Sequence, residues 1–271
     1  ASIKLAMLIR KFKTKLVMSY TEEANIVNVL AKFLTGHKAV ISQHAPPDWQ
    51  YHRKGFFGRI VLLVGRIFFK KADHVIAVSD GIKKSFIENY CISDERVSMI
   101  PNPIKLSQPS DAVIQTELPS RFMLHVARIT FVQKTQDKVL KAFSKIADKF
   151  PDCALVFAGV GPDMQKLQDM IAEYKLEKRV FLIGWQKNLH SIFRKAEFSL
   201  LCSDYEAFGN VIVESMSAGC AVLASDIPFG PGDILDNSKY GLLIPNNDIE
   251  SIVIGMEKLL SDPALREHYR K

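Results

Sequence analysis

Two cationic side chains stand where they can bind a phosphorylated ligand. Arg128 follows the apolar segment FMLHVA, and Lys134 lies six positions further on, just before a predicted helix. Arg can bind a diphosphate bidentately while Lys acts as a point charge, and together they can neutralise the charge that builds up as a nucleoside diphosphate departs. The alternative is that both are surface charges in a chain with 36 Lys and Arg residues.

An acidic motif follows a second apolar run, which ends near Cys202. Glu206 precedes a predicted helix, and Glu214 lies within it. The start of that helix is formed by Phe208, Gly209, Asn210 and Val211. Backbone amides at a helix start receive an anion such as phosphate. A carboxylate about a turn further on is suited to accept hydrogen bonds from a vicinal diol, as a ribose presents.

Each of the two carboxylates also has a simpler interpretation. Glu206 can be a charge favoured by the positive end of the helix dipole, and Glu214 can be a solvated helix residue. The helix is, however, apolar nearly all round, because it contains Val211, Ile212, Val213 and Met216. We therefore favour ligand binding for both carboxylates.

Two histidines and one glycine are further candidates. His44 ends a predicted strand before a Pro-Pro turn, which predicts a position facing the ligand; the alternative is a loop histidine bonded to nearby backbone. His125 lies inside a predicted strand, which favours packing over catalysis. Gly159 begins a Gly-Val-Gly segment after a strand, a weak signal alone, and in this context it lets a nucleoside approach the backbone.

The elements that must position these residues alternate along the chain. Short apolar runs predict strands, longer periodic segments predict helices, and this alternation is typical of an α/β fold with parallel sheets covered on both faces. The predicted strands are Lys15–Tyr20, Ala39–His44, His74–Ser79, Val97–Pro101, Phe122–Ile129, Cys153–Gly159, Val180–Gly184, Glu197–Cys202, Ala221–Ser225 and Gly241–Pro245. The predicted helices include Glu22–Leu34, Lys138–Phe150, Met164–Tyr174, Val211–Ala218 and Ile249–Leu260.

A polar, proline-containing stretch interrupts this alternation and indicates a linker at residues 105–120. It divides the chain into residues 1–104, with about four strands, and residues 121–271, with about six. We predict two doubly wound, Rossmann-like domains, of which the first is incomplete. Ligands bind such folds at the carboxyl ends of the strands, so we expect the site in a cleft that the two domains face.

The composition excludes several classes of protein. Mean hydropathy of +0.05 and 24% charged residues indicate a folded globular chain rather than a disordered or membrane-spanning one. The 4 cysteines are far apart and match neither a metal-binding pattern nor a disulfide framework, which favours a reducing compartment. The formal charge of +7 calls for an anionic partner, such as a phosphorylated small molecule, anionic lipid or nucleic acid.

Residues 51–71, YHRKGFFGRIVLLVGRIFFKK, combine basic residues with an intensely apolar stretch. This pattern predicts an interfacial helix on an anionic membrane surface. A buried helix with basic ends is the alternative. If the first interpretation holds, the protein acts on a lipid-linked molecule.

Metal ligands are missing from the motifs. The chain has no Asp-x-Asp sequence and no His, Cys and carboxylate cluster with metal-ligand spacing. Two cations and a helix start can stabilise a diphosphate without a divalent ion, so we expect metal-independent chemistry and no cofactor.

The two motifs together resemble the retaining glycosyltransferases of family 4, which have the two-domain GT-B fold. The matching residues are Arg128, Lys134, Glu206, Phe208, Gly209 and Glu214, and the stretch 227–245 is similar to bacterial polysaccharide-forming members. The resemblance implies that Arg128 and Lys134 bind the donor diphosphate and that Glu206 contacts the transferred sugar. It also implies that Glu214 binds the ribose, that the amides of 209–211 support the phosphates, and that His44 acts near the sugar.

The sequence departs from the family pattern at a few places. Ala127 stands where Gly is usual, Thr135 where Gly often follows the lysine, and Asp233 where Glu is more frequent. The Gly-rich loop that opens the first domain and the helix that returns to it are not seen, which is why we expect an incomplete first domain.

The resemblance implies transfer of a hexose or N-acetylhexosamine from a nucleotide-sugar, with a uridine donor as the first expectation, to a lipid-linked or saccharide acceptor. It places the enzyme in the cytoplasm or at the inner face of the bacterial cytoplasmic membrane. The alternatives are a sugar-nucleotide epimerase or phosphorylase of the same fold, and a basic nucleic-acid-binding protein. Basic residues interleaved with exposed aromatics, which nucleic-acid binding requires, are not seen, so we expect no nucleic acid partner.

Overall fold

The computed structural model describes residues 1–44, 55–104, 117–245 and 247–271, with the backbone alone for Phe57 and Val61. Most of the predicted linker, and the first part of the predicted interfacial helix at 51–54, lie outside the described residues. The contacts divide the chain into two units. The first comprises residues 1–102 and 206–208, and the second comprises residues 103–205 and 209–271.

The first unit contains a four-stranded parallel sheet in the order β1-β2-β3-β4. Its strands are β1 (Leu16–Tyr20), β2 (Lys38–Gln43), β3 (His74–Ala77) and β4 (Val97–Met99). Its helices are α1 (Ser2–Phe12), α2 (Glu22–Thr35), α3 (Gly55–Phe69) and α4 (Asp80–Glu88), with a single 3₁₀ turn at Asp94–Arg96. Helix α2 packs on β1 and β2, and α1 and α3 both pack on α2.

The second unit contains a six-stranded parallel sheet in the order β10-β9-β8-β5-β6-β7. Its strands are β5 (Phe122–Val126), β6 (Ala154–Ala158), β7 (Val180–Leu182), β8 (Ser199–Leu201), β9 (Val222–Ser225) and β10 (Leu242–Ile244). Its helices are α5 (Phe131–Lys134), α6 (Gln136–Ile146), α7 (Met164–Glu173), α8 (His190–Lys195), α9 (Asn210–Ser217), α10 (Pro231–Leu235), α11 (Ile249–Ser261) and α12 (Pro263–Arg270).

The six-stranded sheet is covered on both faces, as the apolar strand sequences require. Successive side chains of a strand point to opposite faces, so Met123 joins one buried cluster while Phe122 and Leu124 join another. Helices α6, α7 and α11 contribute to the first cluster, and α8 and α9 pack on the second. The predicted α/β fold with parallel sheets is therefore confirmed.

All ten predicted strands are present, although some end earlier than predicted. Strand β5 ends at Val126 rather than Ile129. The chain nevertheless stays beside the loop after β6, because the amides of Ala127 and Ile129 donate to the carbonyls of Ala158 and Val160. Helix α6 begins at Gln136, two residues earlier than predicted, directly after Thr135 in the left-handed region.

Gly159 and Gly161 are required by this close approach of two loops. A Cβ atom at Gly159 would overlap the carbonyl oxygen of Ala127, and one at Gly161 would overlap that of Ile129. Gly159 also has a φ of +142°, which L side chains rarely adopt. These glycines thus allow the loop after β5 to pack closely against the loop after β6.

We predict that Gly159→Ala lowers the free energy of unfolding by about 3 kcal/mol. The added methyl group would overlap the Ala127 carbonyl oxygen, and alanine rarely adopts this backbone conformation. Gly184→Ala is the matched control, since Gly184 also has a positive φ, of +66°, but no atom within 4 Å of the added Cβ. It should cost only about 1 kcal/mol. Urea denaturation measures both, and equal losses would contradict the steric explanation.

Candidate functional site

The order of the six-stranded sheet defines where a ligand binds in the second unit. Strand β5 lies between β6 and β8, so the chain leaves β5 toward one edge of the sheet and later continues from β8 toward the other. In doubly wound folds, ligands bind outside the carboxyl ends of strands at this reversal. Arg128 and Lys134 follow β5, and the acidic motif follows β8. The predicted residues of this unit therefore stand at the reversal.

The loop that carries Arg128 is held on two sides by buried or half-buried polar groups. Gln136, which is fully buried, donates to the carbonyl of Arg128 at 2.9 Å and accepts from the amide of Thr130 at 3.1 Å. Asp163 accepts from the amide of Phe131 at 3.0 Å. The Arg128 side chain is exposed, and within the described residues its guanidinium makes no hydrogen bond or ion pair. It is thus available to a ligand.

The turn that carries Lys134 is joined directly to the end of β8. Thr135, buried and with a φ of +47°, donates its hydroxyl to the carbonyl of Cys202 at 2.7 Å. The amide of Asp204 donates to the carbonyl of Gln133 at 2.9 Å, and the Gln133 side chain donates to the carbonyl of Tyr205 at 3.3 Å. These three bonds, here called the β5–β8 clamp, fix the cationic turn against the start of the acidic loop.

A polar cluster extends this clamp to the neighbouring strand ends. Lys138 pairs with Asp204 at 2.8 Å, and the Asn247 amide donates to the same carboxylate oxygen at 2.9 Å. Asn247 also donates to Thr135 Oγ1 at 3.2 Å and accepts from Ser225 at 2.9 Å. Asp204 is therefore neutralised by Lys138 and hydrogen-bonded by Asn247, both from the second unit itself.

Helix α9 follows β8 and begins on the side of the sheet where the strands have their carboxyl ends. Gly209 caps it with a φ of +100°, and a Cβ there would come within 3.2 Å of Ile212 Cδ1, so both conformation and space favour glycine. Its N-terminus has no side-chain cap, and its first residues are Asn210, which is exposed, and Val211, which is half-buried. Ser215 hydrogen-bonds Ser199 of β8 at 2.6 Å and so anchors the helix to the sheet.

Glu214 lies one turn along α9, on the same face as Asn210. The side chain is half-buried, and burial alone raises its pKa above the ordinary value. Within the described residues the carboxylate makes no hydrogen bond or ion pair. A partly desolvated carboxylate without a partner is costly unless a ligand supplies the hydrogen bonds, which fits the predicted contact with a diol.

His125 is completely buried in β5, beneath the cationic turn, as the sequence predicts. Its ring lies 5.5 Å from that of Phe157, and neither ring nitrogen makes a hydrogen bond of good geometry among the described residues. Burial first, and then the charge of Lys134, lowers the pKa of His125 to about 3, although the backbone of Lys134 offsets this in part. The imidazole is therefore neutral and adds no third positive charge.

His44 belongs to the first unit, where it directly follows β2. Its Nε2 atom lies 2.9 Å from Ser42 Oγ, and its ring stands 5.4 Å from that of Tyr20. Partial desolvation lowers the pKa of His44, while a hydrogen bond with Asn102 raises it. Behind it, the buried side chain of Asn25 donates to the carbonyl of Ser42 at 3.1 Å. His44 thus lies just beyond the carboxyl end of β2, next to polar neighbours.

The remaining predicted residues are placed as follows. Glu206 is buried, with 8% of its surface exposed, and Phe208 is half-buried; their contacts group them with the first unit. Gly159 lies at the carboxyl end of β6, next to β5 in the sheet. The close approach of the Ala127 carbonyl is a sufficient reason for a glycine at this position. A contact of Gly159 with a nucleoside remains a prediction. Among the described residues, no group of three or more His, Cys, Asp or Glu side chains could hold a metal ion.

The sequence interpretation missed the residues that support the site from behind: Gln136, Asp163, Thr135, Asp204 and Asn247. Of these, only Gln136 could have been recognised in the sequence. It is a polar residue at the start of a helix whose other buried residues are apolar, which indicates a buried hydrogen-bonding role. Asn247 comes from the far end of the chain, and its role depends on the strand order.

The fold and the residues at the carboxyl ends of β5 and β8 define an α/β protein with a candidate site for a phosphorylated ligand. Comparison with known families identifies the class more closely. The model of the family Glycosyl transferases group 1 matches residues 109–271, and that of Glycosyltransferase Family 4 matches residues 1–108. The chain therefore belongs to this family of glycosyltransferases, and the resemblance noted from its motifs is confirmed.

Individual relatives agree with this assignment. The chain is 25% identical over 272 residues to N-acetylgalactosamine-N,N'-diacetylbacillosaminyl-diphospho-undecaprenol 4-alpha-N-acetylgalactosaminyltransferase of Campylobacter jejuni, and the match covers 99% of the chain and 73% of that protein. It is 26% identical to an uncharacterised glycosyltransferase of Methanocaldococcus jannaschii, covering 86% of the chain and 60% of the relative. The chain is thus shorter than both.

A solved structure has the same fold. The crystal structure of HepE from Anabaena in complex with UDP superposes with a TM-score of 0.80 at 20% identity, over 99% of this chain and 75% of that one. At this identity the likeness shows the fold alone. It confirms the predicted GT-B class.

We predict that Gln136→Met lowers the free energy of unfolding by about 2 kcal/mol, because it leaves the Arg128 carbonyl and the Thr130 amide without their partner. Gln168→Met, at an exposed position of α7, is the matched control and should change stability by less than about 0.5 kcal/mol. Urea denaturation of both variants measures the difference. An unchanged midpoint for Gln136→Met would show that the loop does not depend on this amide.

We predict that His125 makes the protein less stable in mild acid. Its folded pKa of about 3 lies below the unfolded value of 6.5, so below pH 6.5 the unfolded state binds a proton that the folded state does not. This contribution falls by up to about 1.4 kcal/mol per pH unit as pH decreases from about 6.5 toward 3.

His125→Phe removes this titration and keeps the buried ring. Chemical denaturation at a series of pH values should therefore give a shallower loss of stability in acid for the variant than for the wild type. Parallel stability curves would mean that His125 takes up a proton in the folded state.

Proposed function

We propose that this protein transfers a hexose or N-acetylhexosamine from a nucleotide-sugar, with UDP as the leaving nucleotide, to a lipid-linked or saccharide acceptor. The setting is the synthesis of a bacterial surface glycan at the inner face of the cytoplasmic membrane. The reaction retains the anomeric configuration and needs no metal. In support, the Campylobacter relative is named for transfer to a diphospho-undecaprenol glycan, and the HepE structure contains UDP.

One observation carries the donor assignment. The exposed guanidinium of Arg128, the Lys134 turn and the start of α9 all stand at the chain reversal between β5 and β8. The β5–β8 clamp fixes the Lys134 turn against the end of β8 and the start of the acidic loop. Preorganised cations and helix amides stabilise a diphosphate as negative charge develops on it.

In the proposed reaction, the bond between the anomeric carbon and the β-phosphate oxygen breaks while an acceptor hydroxyl forms the new bond on the same face of the sugar. The hydroxyl proton passes to the departing diphosphate. Arg128 and Lys134 bind that diphosphate together with the amides of Gly209, Asn210 and Val211. Glu214 accepts hydrogen bonds from the ribose diol.

Two residues are assigned to the transferred sugar. Glu206 accepts hydrogen bonds from its hydroxyls, and His44, whose lowered pKa keeps it neutral at neutral pH, makes a hydrogen bond near the sugar and phosphate. Gly159 lies close to the nucleoside. Since two cations and a helix start balance the diphosphate charge, a divalent ion is not required. The family assignment favours transfer over an epimerase, a phosphorylase or a nucleic-acid-binding protein.

The test is calorimetric titration of the protein with UDP, GDP and ADP in buffer containing a chelator. We expect UDP to bind most tightly, and added Mg²⁺ to leave its affinity unchanged. Arg128→Ala/Lys134→Ala should weaken binding by about 100-fold, because two charge-assisted contacts are lost. Lys141→Ala/Lys178→Ala removes the same charge at two exposed positions away from the strand ends and should bind as wild type.

Glu214→Gln separates the ribose contact from the diphosphate contact. We expect it to weaken UDP binding by about 10-fold while leaving the affinity for inorganic pyrophosphate unchanged. Failure of the folded wild type to bind any of the three nucleotides would contradict the proposal. Tighter binding of GDP or ADP would correct the donor, and dependence on Mg²⁺ would overturn metal independence.

A further inference from the structure

A buried hydroxyl group lies beside the candidate histidine of the first unit. Ser42 is the last residue but one of β2, and only 1% of its surface is exposed. Its Oγ atom lies 2.9 Å from Nε2 of His44. Residues two positions apart in an extended chain place their side chains on the same side, so the strand itself brings these two groups together.

The direction of this hydrogen bond follows from burial. A buried hydroxyl group needs an acceptor for its hydrogen, because an unsatisfied buried donor is costly. Among the described residues, Nε2 of His44 is the acceptor within reach of the Ser42 hydroxyl. If Nε2 carried a hydrogen, it would donate to Ser42 Oγ, and the hydroxyl hydrogen would lack an acceptor. The hydroxyl therefore donates to Nε2, and the neutral ring carries its hydrogen on Nδ1.

A second neighbour of the ring agrees with this tautomer. Partial desolvation lowers the pKa of His44, and a hydrogen bond with Asn102 raises it in part. A hydrogen bond raises the pKa of a histidine when the ring donates it, because a donated bond favours the protonated ring. Since Nε2 accepts from Ser42, the group that donates to Asn102 is Nδ1–H. Both bonds thus require the hydrogen on Nδ1.

Buried side chains hold the Ser42 peptide in place. Asn25 of α2 is fully buried and donates to the carbonyl of Ser42 at 3.1 Å. It also accepts from the hydroxyl of Ser19 in β1 at 2.8 Å, and Ser19 Oγ in turn accepts from Asn28 at 3.0 Å. These bonds join β1, α2 and β2. The hydroxyl that contacts the ring therefore stands on a fixed backbone.

We propose that Ser42 is a positioning residue for His44, which its hydroxyl keeps in the neutral form with the hydrogen on Nδ1. His44 is exposed, so a ligand that reaches the ring meets a hydrogen-bond donor at Nδ1, which exchanges Asn102 for the ligand. Nε2, occupied by Ser42, does not act as a general base. The tautomer concerns the first unit alone, and its use on the sugar rests on the proposed function, in which the acceptor proton passes to the diphosphate.

The experiment is an NMR spectrum that correlates the ring hydrogens of histidine with the ring nitrogens, in isotope-labelled protein without nucleotide. It is recorded at about pH 8, where histidine is neutral. A ring nitrogen that carries a hydrogen and one that does not resonate in separate regions, so the spectrum gives the ratio of the two tautomers. His44→Gln identifies the signals of His44 by their loss. We expect the wild type to show the Nδ1–H form.

Ser42→Ala removes the donor to Nε2. We expect the ratio of the Nδ1–H form to the Nε2–H form of His44 to fall by about fivefold, which is the loss of one hydrogen bond. A purely structural role of Ser42 would change stability and leave this ratio as it is. The wild-type spectrum tests the tautomer by itself, and thermal unfolding by circular dichroism shows whether each variant folds.

Ser98→Ala is the matched control. Ser98 Oγ lies 2.9 Å from Nε2 of His74 in the same sheet, so the variant removes an equivalent serine hydroxyl next to another histidine. It should leave the tautomer ratio of His44 unchanged.

Three results would overturn the proposal. The first is a wild-type His44 with its hydrogen on Nε2. The second is a folded Ser42→Ala protein with the wild-type ratio. The third is an equal fall of the ratio in Ser98→Ala, which would mean that the sheet as a whole, and not Ser42, sets the tautomer. Because no nucleotide is present, a failure here leaves the donor assignment intact, and a failure of UDP to bind leaves the tautomer intact.

Discussion

The β5–β8 clamp is the interaction on which the candidate donor site depends. Cations and helix amides cannot share one anion unless the loops that carry them stay in register, and these loops are about 70 residues apart in sequence. Thr135 makes the decisive bond from a left-handed backbone conformation that is unusual for a β-branched residue. The strain at that residue is offset by a buried hydrogen bond and by the start of α6 directly after it.

Around this clamp, several charged side chains are paired within the protein. Asp204 and Lys138 neutralise one another, and Asp163 pairs with Lys166 at 2.8 Å. Arg128, by contrast, is left without a partner among the described residues. Since a paired charge contributes little to binding a ligand, Arg128 is the stronger candidate for contact with an anion.

Much of this could be predicted from the sequence, for identifiable reasons. Strands buried on both faces appear as uninterrupted apolar runs, so β5, β6 and β8 were recognisable, and the residues directly after them defined the edge. The strand order was not accessible, because parallel pairing leaves no local pattern. The contact between Asn247 and Asp204 could therefore not be predicted from the sequence. The sequence also did not show which apolar residues of α3 are buried, since Leu62 and Phe69 are buried while Leu63 and Ile67 are exposed.

The position of Asn247 has a consequence for biosynthesis. Lys138, Thr135 and Asp204 leave the ribosome well before Asn247, which joins them only after β9 and β10 have been added to the sheet. Until then the carboxylate of Asp204 lacks the hydrogen bond from Asn247, and the cluster is held by fewer bonds. The polar cluster around Asp204 is therefore complete only when the last strands of the second unit are in place.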